Sequence, residues 1–125
     1  MSLDLDNNNQ AYLCGRLMAV YEKIQREAMG AVNTSIVDMF YDTFSSTPNL
    51  ELRRLDALSR HFIKKLDKAQ QAHYENAIGE LMNRLSSKGL PAHFSLDDQS
   101  RFAIGYYQQR QELYKKKEEP GKEKK

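Results

Sequence analysis

The chain has 125 residues, of which 40% are hydrophobic and 29% are charged, and its formal net charge is +2. This length and composition argue against an intrinsically disordered chain and predict one small globular domain. The single cysteine excludes an internal disulfide, and no apolar run approaches the roughly 20 residues of a membrane span, so we expect a cytoplasmic protein with no membrane partner.

Two helices are predicted in the first half of the chain. The first runs from about Gln10 to Met29, because apolar residues recur there at spacings of three and four and Gly30 is a natural terminator. The second follows Asn33 or Thr34 and covers "SIVDMFYDTF". This second segment is apolar on most sides, so we expect it to be central in a bundle. It ends at "SSTP", because a residue before proline resists helical geometry.

The third and fourth helices are predicted to follow with an uncertain boundary between them. The third begins near Pro48, a favoured residue in a first turn, and ends at about Lys68. The fourth covers about Ala69 to Ser87 and is closed by Gly89. Because "LDKAQQAHYE" contains no helix breaker, one long bent helix is the alternative.

A fifth helix is predicted after the connector "LPAHFSLDDQ". Ser95 and Asp98 have the spacing of a capping box, and we assign the acidic pair here to capping rather than to acid–base catalysis. The helix runs to about Lys117, which gives a bundle domain over residues 1–117 and a disordered charged tail over residues 118–125. The fold class is therefore all-α, a single-domain bundle of four or five helices.

The fifth helix contains a tyrosine-rich and glutamine-rich string, "AIGYYQQRQELYKKK". Phe102, Tyr106 and Leu113 fall along one stripe, so we expect this helix to pack in the core or against a protein, with base stacking as the alternative. Arg110 is expected to be stacked or hydrogen-bonded at the packed edge. Gly105 removes bulk and would let another helix approach closely.

The residues with reactive or ligating side chains do not form a catalytic pattern. His61, His73 and His93 are not spaced as metal ligands on one helix, and Cys14 falls on an apolar shoulder where a buried thiol is expected. The glycines are scattered, so no phosphate-cradling loop is predicted. We expect no catalytic residue, no metal and no cofactor.

Positive charge is concentrated in residues 48–68, which hold six Lys/Arg against three Asp/Glu. At about 100° per residue, a helix over this segment would place a narrow basic stripe opposite its apolar side. Such a stripe could follow a phosphate chain without reading bases, although a plain solvated face is the alternative. The candidate nucleic-acid contacts are Arg53, Arg60, Lys64 and Lys68 in the stripe, Arg54 and Lys65 at its edge, and Arg16 and Lys23 on a flank of the first helix.

Three strings together carry a family resemblance: "NNNQAYLCGRLMAVYEKIQ", "NTSIVDMFYDTFSSTP" and "LPAHFSLDDQSRFAIGYYQQRQELY". They resemble the C-terminal region of the large (Csd1-type) subunit of the type I-C CRISPR surveillance complex, Cascade. The resemblance covers about residues 7–114. The chain departs from the family pattern at Gln108, where histidine is usual, and at Arg101, where glycine is common.

The resemblance implies a helical bundle that packs along the belly of the complex and helps to hold the R-loop. In such systems the same segment is also made separately as the small subunit, so we expect either that free subunit or the equivalent domain. The implied partners are the Cascade backbone and large subunits, neighbouring small-subunit copies, R-loop DNA of the displaced or target strand, and guide RNA. Catalysis is left to a separate helicase–nuclease. The alternative is a helical protein-interaction module with no direct nucleic-acid contact.

Overall fold

The computed structural model describes residues 3–30, 35–85 and 89–123, with side chains as far as Lys115. These ranges contain five α-helices and no β-strand. The helices are α1 (Gln10–Met29), α2 (Ile36–Ser46), α3 (Pro48–Ile63), α4 (Lys68–Arg84) and α5 (Leu96–Glu123). The predicted all-α bundle in a single domain is confirmed.

Helix α1 has the predicted bounds because both of its ends are capped locally. The side chain of Asn9 accepts a hydrogen bond of 3.1 Å from the backbone N–H of Tyr12. At the other end Gly30 has a φ of 72°, a left-handed value that favours glycine, and its N–H donates to the carbonyl of Arg26.

Helix α2 is held at its start by a capping box. Ser35 accepts from the backbone N–H of Asp38 at 3.2 Å, and the Asp38 carboxylate accepts from the N–H of Ser35 at 3.0 Å. Asn33 and Thr34, where this start was predicted, lie outside the described residues. The end before Pro48 agrees with the prediction.

The prediction that the third helix continues to Lys68 is wrong, and so is the alternative of one long bent helix. Helix α3 ends at Ile63, the chain turns, and Lys68 is the first residue of α4. The physical reason is a cap: the side chain of Asp67 accepts a hydrogen bond of 2.8 Å from the backbone N–H of Gln70 and starts a new helix. The turn also buries Leu66, which is 7% exposed.

Helix α5 begins as predicted. Ser95 accepts from the N–H of Asp98 at 3.1 Å, and the Asp98 carboxylate accepts from the N–H of Ser95 at 3.4 Å. The helix bounds reach Glu123, beyond the predicted end at Lys117. The division of the chain into a bundle and a disordered charged tail stays a prediction.

The central helix is α1, not α2 as predicted. Every residue from Ala11 to Tyr21 is buried, and α1 contacts all four of the other helices. Helix α2 buries only three residues, and its Met39 is 54% exposed, so its apolar residues cover one side of the bundle instead of filling the centre.

The closest helix pair joins the two ends of the chain. A Cβ built on Gly105 of α5 would overlap the carbonyl oxygen of Tyr12, and a Cβ built on Gly15 of α1 would overlap that of Phe102. Glycine at both positions therefore lets the two backbones meet. The predicted close approach at Gly105 is confirmed, while the matching role of Gly15 was not predicted.

The other helices stand around α1 in an incomplete ring. Helix α5 contacts α2, α2 contacts α3, and α3 contacts α4, while α1 contacts all four. Helices α4 and α5 have no pair of Cα atoms within 8 Å over their described residues. The ring is therefore open between α4 and α5, on the side away from α2.

Candidate nucleic-acid interface

The basic residues of the middle segment all face solvent. They lie on α3, in the turn that follows it and at the first position of α4. The exposed set, called here the basic face, is Arg53, Arg54, Arg60, Lys64, Lys65 and Lys68. Exposure of every member means that each charge is accessible to a partner in solution.

The geometry of the basic face differs from the predicted continuous stripe. Arg53 and Arg60 do share one side of α3, because they are seven residues apart. Lys64 and Lys65 lie in the turn and Lys68 lies on α4, so these three do not extend the line along one helix. The positive charge is instead concentrated at the junction of α3 and α4.

Two arginines of the basic face are partly neutralised by the chain itself. The Nε of Arg60 lies 3.5 Å from Asp56 Oδ2, and its Nη1 lies 3.9 Å from Glu75 Oε2. The Nη1 of Arg54 lies 3.5 Å from Glu51 Oε2. Surface pairs of this kind contribute little to stability, but they reduce the charge available to a phosphate.

The other four cations are available. No side chain of the described residues forms an ion pair within 4.0 Å of Arg53, Lys64, Lys65 or Lys68. The nearest acidic residue in sequence, Asp67, is engaged in capping α4. These four residues are the part of the basic face best suited to contact a phosphate backbone.

Arg16 and Lys23 are not on this surface. Arg16 is 6% exposed and its Nε donates a hydrogen bond of 2.7 Å to Gln109 Oε1. Lys23 is 4% exposed, with its Nζ 3.0 Å from Glu27 Oε2 and 4.4 Å from the centre of the Tyr114 ring. A nucleic-acid backbone cannot reach either head group without rearrangement, so the basic face omits both residues.

The fifth helix is a packing element over most of its length, as predicted. Tyr106 is buried and donates a hydrogen bond of 2.8 Å to Glu22 Oε1, and Arg110 Nε lies 3.2 Å from the same oxygen. Arg110 also stacks over the Tyr114 ring, 4.9 Å from its centre. Tyr107 is an exception to this packing, because the residue is 62% exposed to solvent.

Gln108 has a structural role in this chain, at the position where the family that the chain resembles usually has histidine. Gln108 is 9% exposed, and its Oε1 accepts a hydrogen bond of 2.6 Å from the hydroxyl of Tyr12. That hydroxyl in turn accepts a bond of 2.9 Å from the N–H of Asp4. Gln108 therefore ties α5 to α1 and to the segment before α1.

Three carboxylates, Glu51, Asp56 and Glu75, pair with arginines of the basic face, and none of these pairs was predicted from the sequence. Asp56 precedes Arg60 by four residues, the spacing at which opposite charges meet on a helix, so this pair could have been found. Glu75 contacts Arg60 from α4, and this pair could not have been predicted, because no local sequence pattern indicates a contact between two helices.

The cysteine and the histidines form no reactive cluster. Cys14 is fully buried, and burial raises the pKa of its thiol, which disfavours the nucleophilic thiolate. Within residues 3–30, 35–85 and 89–115, no group of three His, Cys, Asp or Glu side chains is placed to hold a metal ion.

Comparisons with known proteins place the chain in a family. None of the described helices is both long enough and apolar enough to cross a bilayer. Comparison with the curated proteins finds no match. The model of the family described as CRISPR-associated protein (Cas_Csd1) matches residues 1–114. This span holds most of the chain and every residue of the basic face, and the chain therefore belongs to the Cas_Csd1 family of CRISPR-associated proteins.

Proposed function

We propose that the chain is a non-catalytic small subunit of a type I-C CRISPR surveillance complex, or the equivalent C-terminal domain of its large subunit. Membership of the Cas_Csd1 family supports a place in a CRISPR-associated complex. The single observation that carries the nucleic-acid role is the group of four exposed cations without an ion pair in the described chain, Arg53, Lys64, Lys65 and Lys68.

The proposed mechanism is a sequence-independent grip on phosphates. In RNA-guided complexes base pairing reads the sequence, so a protein subunit needs only shape and charge. Each lysine or arginine that replaces counterions on the backbone adds affinity that falls as salt rises. The proposed ligands are R-loop DNA, as displaced or target strand, and guide RNA. The proposed protein partners in the cytoplasm are the Cascade backbone and large subunits and neighbouring copies of the small subunit.

A charge-matched pair of triple variants tests this proposal. Lys64→Ala/Lys65→Ala/Lys68→Ala removes three charges from the basic face, and Arg26→Ala/Arg101→Ala/Lys115→Ala removes three exposed charges elsewhere. For single-stranded DNA, three lost phosphate contacts reduce the slope of log K against log salt by about 2. The slope is measured by titration of the isolated chain and of the assembled complex.

The expected result is a weaker affinity and a shallower salt slope for the first variant only. Equal affinities and salt slopes for the two folded variants, in the isolated chain and in the complex, would show that the basic face does not bind nucleic acid. Circular dichroism of both variants shows whether the helices are intact.

A protein-interaction module without nucleic-acid contact is the second candidate. One observation favours it: Arg54 and Arg60 are already paired with carboxylates of the chain, which leaves the basic face with less net charge than its six cations suggest. This candidate predicts that single-stranded DNA binds neither the chain nor the basic face of the assembled complex at low salt.

A further inference from the structure

An open cleft occupies the place where the ring around α1 is incomplete. It lies between α4 and α5, has a volume of about 340 Å³, and contains Arg16 from α1. A second space of about 410 Å³ shares His73, Tyr74 and Leu113 with the first and continues along α4 to Ala69. Ala69 and Leu81 are 12 positions apart on α4, which corresponds to a rise of about 18 Å, or about three helical turns.

The cleft is mostly apolar but contains a buried charge. Its apolar lining comes from Leu3, Val20, Tyr74, Ala77, Leu81 and Leu113. In the same lining, Arg16 is 94% buried, and its Nη1 has no hydrogen-bond partner in the described part of the chain. Burial is the largest cause of a lowered pKa of the Arg16 guanidinium, and the charge of Arg84 lowers it further, while the nearby Glu80 and Asp4 act in the opposite direction. A buried, incompletely bonded cation of this kind is costly unless an acceptor reaches it.

The acidic residues of the cleft do not supply that acceptor. Glu80 and Glu112 line the opening, yet neither forms an ion pair with Arg16 within 4.0 Å. Their charges at the opening repel any anion, but they oppose a phosphate chain, which would bring many negative charges past them, more than they oppose one carboxylate. A single carboxylate on an otherwise apolar segment suits the site better, because its apolar neighbours would cover the lining.

We propose that the cleft between α4 and α5 is a docking groove for an apolar helix of another protein subunit, and that the Arg16 side chain shifts toward the cleft to pair with one aspartate or glutamate of that helix. The incoming helix completes the ring around α1 and lies over about three turns of α4. The proposal rests on the proposed function in one respect, that the helix belongs to a protein of the same complex. Under this proposal Arg16, which was predicted from the sequence to contact phosphate, instead binds a carboxylate of the partner.

Site-specific cross-linking in the assembled complex tests the occupant. A benzophenone amino acid replaces Ala77, which lines the cleft, or Ala72, which is exposed on the other side of α4. The complex is produced by co-expressing this chain with the other protein subunits and guide RNA of its own CRISPR system. The expected product is a cross-link from position 77, but not from position 72, to a protein peptide that holds Asp or Glu among apolar residues.

Three results would overturn the docking groove while the chain is present in the complex. They are the absence of a cross-link from position 77, a cross-link to nucleic acid alone, and a cross-linked peptide without Asp or Glu. A complex that excludes the unmodified chain would overturn both the groove and the proposed function. The salt slope of the basic-face variants tests the nucleic-acid role separately.

Substitutions in the cleft give a second, independent readout. Arg16→Gln leaves the partner's carboxylate unpaired and should weaken retention in the complex at least about tenfold. Because Arg16→Gln also removes a buried contact to Gln109, Ala77→Trp fills the cleft without touching that contact. Ala77→Trp should reduce incorporation, and Ala72→Trp should not. Equal incorporation of the two tryptophan variants, each folded by circular dichroism, would contradict the proposal.

Discussion

Gly15 of α1 lies against the carbonyl oxygen of Phe102 in α5, so closely that a Cβ on Gly15 would overlap that oxygen. One turn further along α5, Gly105 meets the carbonyl of Tyr12 in the same way. The two helices are near opposite ends of the sequence, so this contact closes the fold. Because α1 supplies the centre of the core, the close approach sets the position of both the basic face and the cleft around it.

The first prediction concerns Gly15→Ala. Alanine favours a helix by about 1 kcal/mol over glycine, but here its methyl group would collide with backbone. We expect a net loss in the free energy of unfolding of about 1–3 kcal/mol, measured by urea denaturation. Gly79→Ala in α4 is the matched control, because nothing lies within 4 Å of its built Cβ, and it should gain about 0.5–1 kcal/mol. Equal effects of the two substitutions would contradict the close crossing.

The helix ends that were predicted correctly are those with a local signal. Ser95 and Asp98 form the capping box that their spacing predicts, and Gly30 ends α1 as expected. The break between α3 and α4 also has a local signal, which the prediction overlooked: Asp67 is followed three residues later by Gln70, the spacing typical of a helix start. Burial of Leu66 accompanies the break, and that depends on packing against the rest of the bundle.

The same limit applies to the candidate site. The exposure of Arg53 and Arg60 can be predicted from the local sequence, because the spacing of the apolar residues in α3 shows which side of the helix faces the core. The burial of Arg16 and Lys23 does not follow from α1, since its apolar stripe leaves them on a flank. Contacts of α1 with all four other helices bury that flank, and no pattern within one helix predicts how many neighbours it will have.

The second prediction concerns the cap that separates α3 from α4. Asp67→Ala removes the side chain that accepts from Gln70 and should lower the free energy of unfolding by about 1 kcal/mol. Asp67→Asn keeps an acceptor at the same position and should retain most of the stability. Thermal unfolding of the three proteins at one pH measures both effects. Similar losses for the two variants would mean that the charge of Asp67, rather than its cap, stabilises the junction.

The third prediction concerns stability in alkaline solution. Burial raises the pKa of Tyr74 to about 12, and burial together with the hydrogen bond to Glu22 raises the pKa of Tyr106. The folded state therefore keeps protons that the unfolded state releases near pH 10, so the stabilisation is complete below pH 10 and decreases as the pH rises toward 12. Each tyrosine contributes a slope of up to about 1.4 kcal/mol per pH unit.

Urea denaturation at several pH values from about 9.5 to about 11.5, where these tyrosines titrate in the unfolded chain, measures that slope. Tyr74→Phe should make the decrease in stability with pH shallower. Tyr107→Phe removes an exposed hydroxyl and should leave the slope unchanged. A slope that is the same in Tyr74→Phe as in the unmodified chain would show that other groups cause the alkaline loss.

The last prediction separates stability from binding at Asp56. Its Oδ1 accepts a hydrogen bond of 3.0 Å from the buried Tyr21, while its Oδ2 lies 3.5 Å from Arg60. Asp56→Asn keeps an acceptor for Tyr21 but removes the charge beside Arg60, so the free energy of unfolding should change by no more than about 1 kcal/mol. Single-stranded DNA should bind more tightly, with a salt slope steeper by up to about 0.7, because Arg60 then keeps only its longer pair with Glu75, at 3.9 Å, and is more available to a phosphate. Asp6→Asn changes the net charge equally from an exposed position before α1 and should leave the slope unchanged; an equal gain from both substitutions would mean that total charge, and not the basic face, controls binding.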